Sequence, residues 1–138
     1  MLRTVRTAFL AAALAAVVPA SEANADACDN ATGGQAGLDE CYAKVAKKAD
    51  AELNKLYKEI EARLTDDPDT RKLLVTAQRA WIGFRDAECA LRGSGDGSVA
   101  PMNYAICQAS LTEDRIADFK DDLDCAEGDV TCVIPAAN

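Results

Sequence analysis

The sequence predicts a small all-α bundle of three helices, built on an antiparallel helical hairpin and cross-linked by disulfides. Apolar residues recur at intervals of three and four over most of the chain, which is the period of amphipathic helices. Turn-forming residues divide this pattern into three stretches. Six cysteines occur in 138 residues, and an even number in a short exported chain indicates disulfides.

The first 25 residues have the composition of a secretory signal peptide. Arg3 and Arg6 give a positive start, residues 8–18 are apolar, and residues 23–25 read ANA, which suits signal peptidase. The apolar run is too short to span a bilayer, which takes about 20 residues. The alternative, an N-terminal core helix, is disfavoured because no polar face interrupts the run. We therefore expect export to the periplasm or the medium.

Cleavage after residue 25 would leave an acidic chain without a membrane anchor. A lipid anchor needs a cysteine at the cleavage site, and Cys28 lies further on. Removal of two arginines and one glutamate changes 15 basic and 23 acidic residues to 13 and 22, a formal charge of −9 on 113 residues. Such a charge excludes nucleic acid and anionic membrane as expected partners. It favours encounter with a basic protein, although it also serves solubility alone.

The first helix is predicted from Leu38 onward. The preceding residues 26–37 are rich in small and polar residues and are interpreted as a tethered N-terminal tail. An amphipathic helix of about seven turns is indicated by Leu38, Tyr42, Val45, Ala49, Leu53, Leu56, Ile60 and Leu64. It ends in the turn-forming residues 65–69.

The second helix is predicted to have Asp67 as its N-cap and Pro68 at its first position, and to end near Arg92. Because the turn before it is short, the first two helices should form an antiparallel hairpin. One core-facing stripe is expected to contain Leu73, Leu74, Ala77, Trp81, Phe84 and Leu91.

A Gly/Ser-rich connection, residues 93–98, precedes a third helix that begins at Pro101. Its apolar positions are Met102, Ile106, Leu111, Ile116, Phe119 and Leu123. Ser110-x-x-Glu113 matches a capping box, so the alternative is a break near Ser110 and a bundle of four helices. The helical domain predicted in this way covers residues 38–124.

The pairing of the cysteines cannot be deduced from their spacing, because six cysteines allow 15 connectivities. Cys28, Cys41, Cys89 and Cys107 are all expected near the open end of the hairpin. Two local bridges, Cys28–Cys41 and Cys89–Cys107, are favoured slightly over pairs that cross-link the hairpin.

Residues 125–138 are interpreted as an acidic C-terminal tail. Cys125 and Cys132 are close in sequence and are expected to close a loop within it. From Glu113 onward the chain has eight acidic and two basic residues, so the negative charge is concentrated at this end.

No enzymatic activity is predicted. The chain contains no histidine, which excludes Ser-His-Asp and Cys-His arrangements and the H-E-x-x-H zinc motif. Bridged cysteines leave no thiolate nucleophile, and paired carboxylates would need a cleft that a thin bundle hardly offers. With no C-x-x-C motif either, we expect neither a metal nor a cofactor.

Two sets of residues are candidates for a site. Ser94, Asp96 and Ser98 lie in the Gly-rich connection, which is either a plain linker or a recognition loop held at its base by the flanking cysteines.

Asp50, Asn54, Arg85 and Asp86 form the second set, beside the apolar stripes of the first two helices. A buried arginine has to be paired, and Asp50 is the predicted partner of Arg85. We interpret the four as a structural polar network. The alternative is a set of exposed charges at helical spacing.

The second helix also resembles a known family. Residues 77–82, AQRAWI, are followed by Arg85-Asp86 and Cys89, a pattern similar to the signature of the LprI-type lysozyme inhibitor N-terminal domain. The resemblance extends from residue 28 to about residue 123 and includes Cys41, Ala49, Asp50, Leu53, Asn54, Tyr57, Gly97, Ser98, Met102, Cys107, Leu111, Thr112 and Arg115.

The resemblance implies an exported helical domain, of which at least one member is described as binding and inhibiting lysozyme. The expected partner is therefore a protein, a basic lysozyme-like glycosidase. The resemblance transfers no contact residues, and the position of residues 96–98 in the loop makes them our own candidates for the inserted element. The chain departs from the namesake in lacking a lipid anchor and in adding Cys125 and Cys132 with the acidic tail. The alternatives are a periplasmic immunity protein against a delivered toxin and an envelope assembly or structural factor.

Overall fold

The computed structural model describes residues 27–136 and contains three α-helices and no strand in that range. Helix α1 spans Gly34–Arg63, α2 spans Pro68–Arg92 and α3 spans Ala100–Leu123. The predicted all-α bundle is confirmed. The predicted signal peptide, residues 1–25, lies outside the described residues.

Helix α1 buries the apolar face that the sequence pattern predicts. It begins at Gly34, four residues before Leu38, and so takes in the end of the segment interpreted as a tail. Leu38 and Val45 are partly buried. The buried positions are Tyr42, Ala49, Leu53, Leu56 and Ile60, followed by Leu64 just beyond the helix.

Helix α2 begins and ends where the sequence predicts. The Asp67 carboxylate accepts hydrogen bonds from the Thr70 backbone N–H at 3.0 Å and from the Thr70 hydroxyl at 2.7 Å. Pro68 occupies the first turn, where its missing N–H costs no hydrogen bond. Gly93 follows the last residue, Arg92.

The Asp67 cap makes stability depend on pH. The hydrogen bonds from Thr70 lower the pKa of Asp67 in the folded protein. The cap therefore stabilises the fold above the ordinary aspartate pKa of about 3.9, and this contribution is lost as the pH falls through the folded-state value. Asparagine caps about as well but does not titrate. We expect the melting temperatures of wild type and Asp67→Asn to be similar at neutral pH and to differ near pH 3, where the melting temperature of wild type is the lower one. A constant difference between the two melting temperatures across this pH range would contradict the assignment.

Helix α3 continues without interruption through Ser110. The bundle therefore has three helices rather than the four of the alternative. Ala109 and Thr112, on either side of Ser110, are both buried, so a single helical face stays in the core across this position.

The first two helices form the predicted antiparallel hairpin. Arg71 pairs with Glu61 at 3.3 Å and Arg85 pairs with Asp50 at 3.0 Å. In each pair the two residues lie at similar distances along the chain from the turn, as in an antiparallel hairpin. Helix α3 packs against both helices and most extensively against α1. The backbones of α1 and α2 make little close contact with each other.

The apolar core lies mainly between α1 and α3. The larger cluster, towards the α1–α2 turn, contains Ala49, Leu53, Leu56, Ile60, Leu64, Ile116, Phe119 and Ile134. A smaller cluster at the open end contains Cys28, Tyr42 and Ala105. Full burial of each large side chain stabilises a fold by roughly 1.5–3 kcal/mol.

The apolar stripe predicted for the second helix is wrong in most of its members. Leu73, Phe84 and Leu91 are 70%, 56% and 67% exposed, and Ala77 is exposed as well. Only Leu74 and Trp81 pack against the core, and they are partly buried. The side that α2 turns inward carries Gln78, Arg85 and Cys89. Polar contacts and a disulfide therefore attach this helix to α3 alongside the packing of Leu74 and Trp81.

Three disulfides cross-link the described residues, in the pairs that the sequence analysis favoured. They join Cys28 to Cys41, Cys89 to Cys107 and Cys125 to Cys132, with S–S distances of 2.05, 2.01 and 2.10 Å. The first fastens the N-terminal segment to α1, the second joins α2 to α3, and the third closes a loop in the C-terminal tail. No cysteine of the described residues is free.

The C-terminal tail is fastened to the turn end of the bundle. Ile134 is 4% exposed and belongs to the larger apolar cluster. The Arg63 guanidinium donates from Nη1 to the carbonyl oxygens of Leu123 at 2.8 Å and Pro135 at 3.4 Å. The tail therefore has a fixed position, with Val130 exposed in its disulfide loop.

Candidate functional site

A groove of about 750 Å³ lies at the open end of the bundle, with all three helices contributing to its walls. The groove exists because the backbones of α1 and α2 do not pack closely together. Charged residues at its edge include Asp39 and Lys47. Its apolar lining consists of small residues and one aromatic ring: Ala43, Ala46, Ala90, Ala100, Pro101, Tyr104 and Ala105.

The predicted polar network contributes to this groove. The side chain of Arg85 is 10% exposed, whereas those of Asp50 and Asp86 are 50% and 49% exposed. Arg85 donates from Nη1 to Asp50 Oδ1 at 3.0 Å and from Nε to Asp86 Oδ1 at 3.0 Å. Asn54 donates to the second oxygen of Asp50 at 3.1 Å. The structure thus brings all four residues together, with Asp50 as the partner of Arg85.

Helix α3 supplies three further members that the sequence analysis missed. Arg85 Nη1 also donates to the Thr112 hydroxyl at 3.3 Å. Gln108 Nε2 donates to Asp86 Oδ1 and to the Tyr104 hydroxyl, each at 3.0 Å. Tyr104, Gln108 and Thr112 are spaced by four, so they share one helix face. This series of polar residues at i,i+4 spacing is the feature of the sequence from which they could have been predicted.

The network is closed internally. The two carboxylates flank the Arg85 guanidinium, whose carbon also lies 5.1 Å from the Trp81 ring centroid. No buried side-chain nitrogen or oxygen of the described residues lacks a hydrogen-bond partner. The arrangement fixes the relative positions of the three helices, and its donors are used within the protein rather than offered to an anion.

The open end of the described bundle presents polar groups beside an apolar groove. No group of three or more cysteine, aspartate or glutamate residues between 27 and 136 is placed to hold a metal ion. Within the same range, no helix is long and apolar enough to cross a membrane. What the open end presents is a groove of defined shape, with carboxylate, amide and phenol groups at its polar side.

The Gly-rich loop lies on the rim of this groove. Gly93 and Ala100, on either side of the loop, both line the groove. Asp96 and Ser98 are exposed, and so is Ser94, whose hydroxyl donates to the Leu91 carbonyl at 2.7 Å. The loop therefore adjoins the groove, although Ser94, Asp96 and Ser98 do not themselves line it.

The base of the loop is rigid. A Cβ atom at Gly93 would lie 2.9 Å from the Tyr104 Cβ atom, so a larger residue could not keep this close approach. The Cys89–Cys107 disulfide lies one helical turn before Gly93. Further out, Gly97 has a φ of 100°, in the left-handed region that favours glycine.

The C-terminal disulfide loop lies away from this surface. Together with Asp67 at the α1–α2 turn it lines a separate depression that includes Glu127 and Asp129. The acidic tail and the Gly-rich loop are thus at opposite ends of the bundle.

A family model described as "Lysozyme inhibitor LprI" matches residues 28–119. The chain is also 40% identical over 106 residues to an uncharacterized protein of Rhizobium meliloti (strain 1021), an alignment that covers 67% of this chain and 76% of the relative. No solved structure matches the chain significantly. The family match includes the groove, the polar network and the first two disulfides, and it ends before the Cys125–Cys132 loop.

Proposed function

Because the chain belongs to the LprI lysozyme inhibitor family, we propose that it binds and inhibits a lysozyme-like muramidase outside the cytoplasm. The observation that carries the proposal is the family match, which spans residues 28–119. An inhibitor needs a rigid surface that fits its target and no chemistry of its own. The closed polar network and the fixed base of the Gly-rich loop support that role.

Charge supports a basic target. The chain has a formal net charge of −8, and opposite charge raises the rate at which two proteins meet. Disulfides persist in oxidising compartments such as the periplasm and the extracellular space. We propose that the protein meets its target there, after export.

We propose the Gly-rich loop and the adjoining groove as the contact surface. Glycosidases of this class cleave between two carboxyl groups in a cleft that is lined with hydrogen-bonding groups for sugars. Ser94, Asp96 and Ser98 could fill such positions with hydroxyl and carboxylate groups. The Cys89–Cys107 disulfide would reduce the entropy lost when the loop is ordered on binding.

Inhibition assays test the proposed function directly. The oxidised protein should slow lysis of bacterial cell walls by one or more lysozymes at micromolar concentration, and increasing salt should weaken the effect. An unrelated acidic protein of similar charge serves as the control for nonspecific binding. Failure to inhibit animal-type and bacterial muramidases alike would contradict the proposal.

Asp96→Lys tests the contact surface. We expect association with an inhibited lysozyme to slow by roughly 3- to 10-fold at low salt, with an unchanged melting temperature because Asp96 is exposed. Association rates can be measured on immobilised lysozyme.

Asp66→Lys is the matched control, since Asp66 is also exposed but lies at the α1–α2 turn. Equal slowing in both variants would mean that only total charge matters. A large loss of stability in Asp96→Lys would mean that the loop is structural.

A further inference from the structure

One face of α2 is apolar and exposed along nearly the whole helix. Its large members, Leu73, Phe84 and Leu91, are 70%, 56% and 67% exposed. Three exposed alanines lie between them, at positions 77, 80 and 87. We call these six residues the α2 seam. At a rise of 1.5 Å per residue the seam is about 27 Å long.

The spacing along the α2 seam is that of a helix–helix contact. Successive members are separated by four, three, four, three and four residues, which is the a/d pattern of coiled coils. The seam is not used within the bundle, because α2 contacts α3 through a different side that carries Gln78, Arg85 and Cys89. Exposed apolar surface on this scale marks an interaction site.

We propose that the α2 seam pairs with the same seam of a second copy of this chain, in an antiparallel homodimer. The six positions are symmetric about residue 82. An antiparallel pair would therefore place Leu73 opposite Leu91 of the second copy and Phe84 opposite an alanine of the second copy. Leucine then meets leucine at both ends of the seam, and the Phe84 ring fills the space above an alanine at the centre; the layers between them set Ala77 against Ala87 of the second copy.

A parallel pair would pack less evenly. It would place Phe84 opposite Phe84 of the second copy, and the layers on either side would contain only alanines. The two phenylalanine rings would hold the helices apart, and gaps would remain at the neighbouring alanine layers. The side-chain sizes thus favour the antiparallel arrangement.

The charges around the seam suit a second copy better than a basic target. No seam member is charged, and the charged residues at its two ends are already paired within α2: Lys72 with Asp69 at 3.1 Å, and Arg92 with Glu88 at 2.8 Å. Self-association would bury no unpaired charge. A basic target would be drawn to the acidic surfaces instead.

The size of the seam indicates a dissociable dimer. From the exposed fractions of its side chains, each copy would bury on the order of 500 Å². A total near 1,000 Å² is below the roughly 1,200–2,000 Å² of stable complexes, so we expect dissociation in the micromolar range. Because both copies are acidic, salt should strengthen the dimer by screening their repulsion.

Analytical ultracentrifugation of the oxidised protein, expressed from the full chain, tests the proposal. Between about 5 and about 500 µM, the mass should rise towards twice that of the monomer, and added salt should move the transition to lower concentration. Ala80→Glu should keep the protein monomeric by placing a charge at the centre of the seam. Ala51→Glu, an equal change at an exposed position of α1, should leave the dimer intact.

A charge-pair experiment tests the orientation. Ala77→Glu and Ala87→Lys should each weaken the dimer, and the double variant should restore it, because these positions face each other only in the antiparallel pair. The proposal is overturned if wild type stays monomeric at the highest concentration, if Ala80→Glu dimerises like wild type, or if the double variant fails to recover. These outcomes are independent of lysozyme inhibition.

Discussion

Replacing Arg85 with alanine should lower the free energy of unfolding by about 3 kcal/mol. Arg85 is only 8% exposed and joins all three helices, through Asp50 on α1, Asp86 on its own helix and Thr112 on α3. The alanine variant would leave the buried Thr112 hydroxyl without this donor and two carboxylates without their shared cation. Urea unfolding followed by circular dichroism measures the change.

Arg79→Ala is the matched control for this prediction. Arg79 lies on the same helix but is exposed, so its loss should cost less than about 0.5 kcal/mol. Arg85→Lys should recover only part of the stability, because an ammonium group lacks the planar fork that reaches both carboxylates. If Arg85→Ala were as mild as Arg79→Ala, the network would not hold the helices together.

Replacing both Cys89 and Cys107 with alanine should also lower the free energy of unfolding, by about 3 kcal/mol for a disulfide that spans a separation of 18 residues. The effect is large because the bridge restricts the unfolded chain by closing a loop between two helices. The base of the Gly-rich loop would also lose its restraint. We therefore expect weaker binding to the target as well as a lower unfolding free energy.

The C-terminal disulfide provides the comparison. Alanine at both Cys125 and Cys132 opens a separation of only seven residues, with an expected cost of about 2 kcal/mol and no loss of inhibition. If both double variants lost inhibition equally, the open end would not be the contact surface.

The helices and their ends could be predicted from the sequence wherever one physical signal dominates. The apolar period of α1 coincides with its buried face, and Asp67 followed by Pro68 marks the start of α2. Helix α2 itself carries two competing faces, one apolar and one containing Gln78, Arg85 and Cys89. Hydrophobicity alone predicts that the apolar face is buried, whereas the structure buries the face that contains Gln78, Arg85 and Cys89.

The candidate site, like the fold, could be predicted from the sequence only in part. The pairing of Arg85 with Asp50 followed from the rule that a buried arginine needs a carboxylate. Gln108 and Thr112 were missed because their role depends on the rotation of α3 about its axis. The groove depends on how far α1 and α2 diverge, which no local pattern in the sequence records.

Ile134 closes one end of the larger apolar cluster and acts as its end plug. It comes from the tail beyond residue 119, where the family match stops. Because α1 rises about 1.5 Å per residue, the plug lies on the order of 30 Å from the groove. Substitutions in the last segment of the chain are therefore expected to leave the surface at the other end unchanged.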